Sequence, residues 1–255
     1  MAFISCNFRS KALGMNTQIN VIIPEKLRDV KRDDGFPVLY LLHGLSDDNS
    51  AWCRNTSIER YAEDKGLVVV MPWGGKSFYT DMKFGEKVFT YITEELTKFC
   101  EQMFPISGRR EDRFLAGLSM GGYGAFKLAL SKPDSYAATA SLSGALDIAR
   151  IMNRENENMW NDIPNSIYGE NESILPENDD LFKLIDNLVK NKVTLPKMYM
   201  ICGTEDFLYK DNLRFAKHLE KLSVKAKIRW EPGIHEWKFW DKYIKEVLEW
   251  LPIKK

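Results

Sequence analysis

Three observations predict an α/β fold with a mainly parallel central sheet. Short apolar runs alternate with amphipathic helical patterns along most of the 255 residues. Residues 38–43, "VLYLLH", and 67–71, "LVVVM", are almost continuously apolar, as central strands covered on both faces require. The first segment instead alternates with period two, the pattern of antiparallel strands, so an antiparallel N-terminal region is expected beside the parallel strands.

Taken in chain order, "FISCNF" and "NTQINVII" are the two alternating strands, separated by the turn-like "GMN". "KRDDGFP" is a turn by composition and leads into the first central strand. In "EKVFTYITEELTKFCEQMF", Val88, Ile92, Leu96, Phe99, Cys100 and Met103 follow the helical period and form one core-facing stripe. "RFLAG", "AATASLSG", "KMYMICG" and "KAKIRW" are further strands, and "YKDNLRFAKHLEKL" is a helix. The C-terminal helix carries Trp237, Trp240, Ile244, Val247, Leu248 and Leu251 on one face. Helices are therefore expected on both faces of the sheet, within a single domain spanning 1–255. The one compositional break, residues 153–180, is rich in Asn and Glu and holds two prolines. Core-forming strands follow it, so it is expected to be a small insertion or lid over the sheet edge or active face rather than a linker.

Composition narrows the function. Lys plus Arg and Asp plus Glu each total 36, which gives no net electrostatic reason to expect nucleic acid or an anionic membrane as partner. No stretch is apolar enough to span a bilayer, and the first residues, "MAFISCNFRS", lack the basic and apolar regions of a secretory signal, so a cytoplasmic location is expected. Cys6, Cys53, Cys100 and Cys202 are far apart and form no CxxC pair; they are expected to be buried free thiols, with no metal site.

The most informative stretch is "LAGLSMGGYGAFK". Residues 117–121 fit G-x-S-x-G between a strand and an amphipathic helix, which is the context a nucleophile elbow needs. Gly117 and Gly121 would remove Cβ atoms where the backbones crowd, and Gly122 and Gly124 would permit close packing of helix on sheet. The competing reading makes Ser119 a helix N-cap in a tight turn. The catalytic reading demands an acid and then a histidine downstream. Of the three histidines, His218 lies amid charged helix residues, and His43 precedes the serine, where a loop-bracing role suits it. His235, in "EPGIHEWKFW", follows a strand through a Pro-Gly loop and is the expected general base. Glu205 and Asp206 directly follow the strand "MYMICG"; the G-x-x-D spacing favours Asp206 over Glu205. The oxyanion donors expected are the N–H of Met120, after the nucleophile, and of Leu45, in the loop beyond His43, with Gly44 letting the backbone approach the substrate.

With these residues in place the chain resembles an α/β-hydrolase, and within that fold the esterase D branch of S-formylglutathione hydrolases, tributyrin esterases and family-one carbohydrate esterases. The resemblance rests on "LLHGLSDDNSAWCRNTSIERYA", "VVVMPWGGKSFYTDM", "AGLSMGGYGAFKLAL", "SLSGALD", "GTEDFLY" and "GIHEWKFW", which span nearly the whole chain. "GKSFYTDM" and "RNTSIERYA" point most closely to the tributyrin esterase group. The resemblance implies a serine carboxylesterase acting on acetyl to butyryl esters through Ser119, His235 and Asp206, possible activity on acetylated or feruloylated carbohydrates, no cofactor, and assembly as a dimer or tetramer. The alternatives are an S-formylglutathione hydrolase, a sugar acyltransferase, or a non-catalytic binding protein of the same fold. The cysteine-flanked pattern of S-formylglutathione hydrolases near the oxyanion loop is missing, which disfavours the first. A complete triad disfavours the last. Trp52, Trp73, Tyr79, Trp160 and Trp237 are candidate substrate-binding rings, with core or lid packing as the competing reading. "GGK" at 74–76 lacks the spacing of a phosphate loop.

Overall fold

In a computed structural model, residues 1–27, 34–152, 162–169 and 175–253 are described. Strands β1 (Ala2–Arg9) and β2 (Asn16–Ile23) form an antiparallel hairpin. They are followed by β3 (Val38–Leu42), short helices α1 (Ala51–Asn55) and α2 (Ile58–Lys65), and β4 (Val68–Pro72). Next come α3 (Val88–Thr90), a π-helical stretch Tyr91–Leu96, and α4 (Thr97–Met103). After these lie β5 (Arg113–Leu118), α5 (Met120–Ser131), β6 (Ala138–Leu142), α6 (Ile148–Ile151) and α7 (Asp162–Tyr168). The chain ends with α8 (Leu181–Lys190), β7 (Lys197–Gly203), α9 (Tyr209–Lys221), β8 (Ala226–Glu231) and α10 (Trp237–Trp250).

Among the described residues eight strands form one sheet in the order β1-β2-β4-β3-β5-β6-β7-β8. The β1/β2 and β2/β4 pairs are antiparallel and all others parallel, matching the split between alternating and continuous apolar segments. Successive residues of a strand face opposite sides. In β5, Leu115 joins the core under α5 and the Val88–Met103 region, whereas Phe114, Ala116 and Leu118 join the core under α2 and α10. Both faces are thus covered, and the ends of β5, β7 and β8 fall on one edge where loops can meet.

Some local expectations change. Val88, Ile92, Leu96 and Cys100 are buried at four-residue spacing across the π turn, which also brings Tyr91 inside. Met103 falls off that stripe and is exposed. Cys100 and Cys202 are buried, but Cys6 and Cys53 are only partly so; all four thiols are free. Burial pushes the Cys53 thiol pKa up to about 12, which keeps it protonated and unreactive. Among the described residues no helix is long and apolar enough to cross a membrane.

Residues 153–161 and 170–174, within the expected insertion, lie outside the described residues. The part that is described docks on the body. Lys83 and Phe84 N–H groups donate to the carbonyls of Ile167 (2.9 Å) and Ser166 (3.0 Å) in α7. Beyond it, Asp179 is fastened to α5: Lys127 Nζ lies 2.5 Å from its carboxylate, and the Tyr123 hydroxyl donates to its backbone carbonyl at 2.7 Å. Both charges are buried, and desolvation pushes the Lys127 pKa down while Asp179 opposes the shift. Removing one partner of such a pair leaves the other as an uncompensated buried charge. Asp179→Ala is therefore expected to destabilise the protein by about 3–5 kcal/mol, read as a lower denaturation midpoint in urea. A change below about 1 kcal/mol would mean that Lys127 escapes to water or loses its proton at little cost.

Candidate active site

The site begins with backbone strain at one residue. Ser119, between β5 and α5, has φ 52° and ψ −118°, a conformation that costs a non-glycine residue about 1–3 kcal/mol. Three backbone hydrogen bonds hold it there. Its N–H donates to the Leu142 carbonyl (3.0 Å), and its carbonyl accepts from the N–H groups of Tyr123 and Ala145 (both 3.1 Å). The glycines clear the space this turn needs. A Cβ on Gly117 would strike the Gly121 backbone, and one on Gly121 would lie 2.5 Å from the carbonyl oxygens of Leu42 and His43. Gly122 does pack against β6, where a Cβ would meet Ser141 Oγ at 2.7 Å. Gly124 instead makes room for the Tyr79 ring, and Gly44 makes room for the Leu118 side chain.

The Ser119 side chain makes no N-cap hydrogen bond. Its Oγ lies 3.0 Å from His235 Nε2, and His235 Nδ1 lies 2.8 Å from Asp206 Oδ2. The remaining Asp206 oxygen, Oδ1, accepts from the Leu208 N–H at 2.8 Å, which fixes the carboxylate in its loop. Because Asp206 can only accept when ionised, His235 Nδ1 carries the proton and Nε2 presents its lone pair to the serine.

Glu205, the competing acid, has a different job. It is exposed, and its Oε2 accepts from the Gly233 N–H at 2.6 Å while Gly233's carbonyl accepts from the Glu205 N–H at 3.1 Å. The Thr204 hydroxyl and the Gly233 amide hold its carboxyl pKa below the usual range. Glu205 thus clips the His235 loop to the Asp206 loop. Sequence spacing gave no hint of this second role.

His43 is buried and fully partnered. Its Nε2 accepts from the Gly74 N–H (2.9 Å), so Nδ1 is the protonated nitrogen and donates to the Gly44 carbonyl (2.7 Å). Burial lowers its pKa and keeps the imidazole neutral. The ring braces the loop that carries Leu45. There the Asp47 N–H donates back to Gly44 O (3.3 Å), with Ser46 at φ 70° in the turn. Among the described residues, neither the Leu45 N–H nor the Met120 N–H has a protein acceptor. His218, as expected, is a helix-surface residue, 2.8 Å from Asp186.

The five aromatic candidates divide. Trp52 and Tyr79 are core residues, 1% and 0% exposed, and have no surface to offer a substrate. Trp52 Nε1 donates to Leu42 O (2.9 Å) and the Tyr79 hydroxyl to His43 O (2.9 Å), so both brace the backbone that leads into the Leu45 loop. Trp73 is half-buried and packs over Gly75. Trp160 lies outside the described residues. Trp237 is half-buried, edge-on to Trp52, and lines a polar recess of about 510 Å³ with Ser46, Asp47, Asp48, Ser50, Ala51, Arg54 and Asn55. Sequence pattern does not single out a further aromatic here: Phe207, between Asp206 and Leu208, is 67% exposed and its ring centre lies 4.5 Å from that of His235.

The chain as a whole has similar proteins. A family model described as "Putative esterase" matches residues 10–251. An acetyl esterase of Caldicellulosiruptor saccharolyticus is 32% identical, over 98% of each chain. Among solved structures, the Staphylococcus aureus fluorophosphonate-binding serine hydrolase FphF is similar with a TM-score of 0.90 and 37% identity, covering 98% of each chain. The S-formylglutathione hydrolase FrmB of the same organism superposes with a TM-score of 0.86 and 36% identity, again over 98% of each chain.

Proposed function

Because the chain belongs to the esterase family and is a serine ester hydrolase, we propose that it cleaves short-chain acyl esters, acetyl to butyryl, with Ser119 as nucleophile, His235 as general base and acid, and Asp206 as the group that orients it. The observation that carries this reading is the unbroken hydrogen-bond chain from Ser119 Oγ through His235 to Asp206, on a serine held in a strained turn. The acetyl esterase relative supports the short acyl range. On this reading residues 1–255 are one catalytic domain and 153–180 an insertion within it.

The reaction then runs in two balanced halves. Ser119 Oγ bonds to the ester carbonyl carbon as its proton passes to His235 Nε2, and the carbonyl oxygen becomes an oxyanion facing the N–H groups of Leu45 and Met120. Asp206 stabilises the imidazolium. The bond to the leaving alcohol breaks as Nε2 returns the proton to the alcohol oxygen, leaving an acyl-serine. Water repeats the sequence and releases the acid. Each oxyanion donor contributes on the order of 10² to 10³ in rate. Trp237 and Trp73 remain as candidate substrate contacts.

Initial rates on p-nitrophenyl acetate, butyrate and octanoate test the acyl range. The short esters are expected to exceed octanoate in kcat/KM by at least about tenfold, a discrimination that a few misplaced methylenes can supply. A preference for octanoate would overturn the short-chain assignment. A second reading, hydrolysis of S-formylglutathione by the same triad, is favoured by the similarity to FrmB. It predicts that this thioester outcompetes p-nitrophenyl acetate in the same assay.

A further inference from the structure

Among the described residues the imidazole of His235 has two ring neighbours, and they differ in kind. Trp240, on α10, meets it edge-on with centres 4.8 Å apart and is 5% exposed, so that side of the histidine is closed by the core. Phe207 lies on another side, with centres 4.5 Å apart and a tilt of 48°, and is 67% exposed. A single exposed phenylalanine is ordinarily unremarkable on a protein surface. This one is not free to turn away with its loop. Asp206 N–H donates to Gly203 O, Leu208 N–H to Asp206 Oδ1 and Tyr209 N–H to Asp206 O, and the Leu208 side chain is buried. The same bonds that fix the acid of the triad fix the ring beside it. Ile234, next to His235 in sequence, is 52% exposed and adds apolar surface to the rim.

The chemistry says which part of a substrate meets this ring. The leaving alcohol takes its proton from His235 Nε2, so its oxygen must come within hydrogen-bond reach of that atom, about 3 Å. Buried Trp240 closes one side of the imidazole, so whatever that oxygen carries must leave by another. We propose that Phe207 is a specificity-determining residue for the leaving group: its outward face is the platform for an alcohol that bears a ring with an apolar face, and its inner face packs on His235. This rests on the esterase reading above and deepens it by naming the class of alcohol. An aromatic contact of this kind is worth about two- to tenfold beyond area burial.

The test uses two acetate esters whose alcohols have similar acidity, benzyl acetate and 2-methoxyethyl acetate. Both form the same acetyl-enzyme, so deacylation is common to them, and kcat/KM reports the acylation step in which the alcohol is still present. The full-length wild type is expected to prefer benzyl acetate in kcat/KM. Phe207→Ala is expected to reduce the benzyl-to-methoxyethyl ratio about tenfold, whereas Phe207→Tyr, which keeps the ring, preserves it. A residue that merely positions His235 would lower acylation and deacylation together and leave the ratio unaltered. That result, or a ratio unchanged in Phe207→Ala, would overturn the platform. Wild type that hydrolyses neither ester, nor p-nitrophenyl acetate, would instead remove the esterase reading on which the platform rests.

Discussion

Replacing Ser119 with alanine lowers kcat for p-nitrophenyl acetate by about 10⁶-fold, to the level that binding and oxyanion donors alone sustain. The size of the effect follows from the arrangement around the residue. Ser119 Oγ is the atom that His235 Nε2 addresses, at 3.0 Å, and alanine leaves the base with nothing to activate except water. Structure should survive the change, because the elbow is held by the Ser119 N–H and carbonyl, which alanine retains, and the side chain makes no cap to α5. Far-ultraviolet circular dichroism and the urea midpoint of the variant should match wild type. Activity within tenfold of wild type would show that the strained serine is not the nucleophile.

Asp206→Asn is expected to lower kcat by about 10⁴-fold while the backbone stays in place. The reason is a choice of tautomer. Oδ1 of Asp206 accepts from the Leu208 N–H, and an asparagine keeps that bond only by leaving its carbonyl oxygen there. Its NH2 group must then face His235 Nδ1, which is forced to accept. The imidazole proton moves to Nε2, where it points at Ser119 and removes the lone pair the reaction needs. Steady-state kinetics on p-nitrophenyl acetate check the value. A loss under tenfold would contradict the orienting role, and an equal loss in Glu205→Gln would show that the clip at Gly233 matters as much as the acid.

Much of this was legible in the residues. The buried parallel strands announce themselves as continuous apolar runs, because a strand covered on both faces has no polar positions to alternate. The turn at Ser119 was readable because a strained serine needs glycines around it, and its hydrogen-bonded neighbours His235 and Asp206 because they follow β8 and β7 in the order that the motif demands. Other features depend on contacts between distant segments. Trp52 and Tyr79 sit near the site in sequence terms, yet their direction is set by hydrogen bonds to Leu42 and His43 that no local pattern encodes. Phe207 lies inside "GTEDFLY", and only the return of the His235 loop shows which way its ring faces. α8 is a different case. Its signal was present, with Asp180 capping the N–H of Phe182 ahead of apolar Leu181, Leu184 and Ile185, but it adjoins the polar 153–180 segment that masks it. The π turn at Tyr91–Leu96 leaves the four-residue spacing of its apolar stripe intact and adds Tyr91 to the buried face, so the spacing alone does not betray it.

Fluorophosphonate labelling followed by intact-protein and peptide mass spectrometry tests whether Ser119 is the nucleophile of an acyl-enzyme. A serine oxygen attacks phosphorus and fluoride leaves, so the stable adduct marks the activated residue. One adduct per chain is expected on the peptide containing Ser119, with loss of esterase activity in proportion to labelling and no adduct in Ser119→Ala. An adduct on another residue, or full hydrolysis by protein labelled at Ser119, would contradict it.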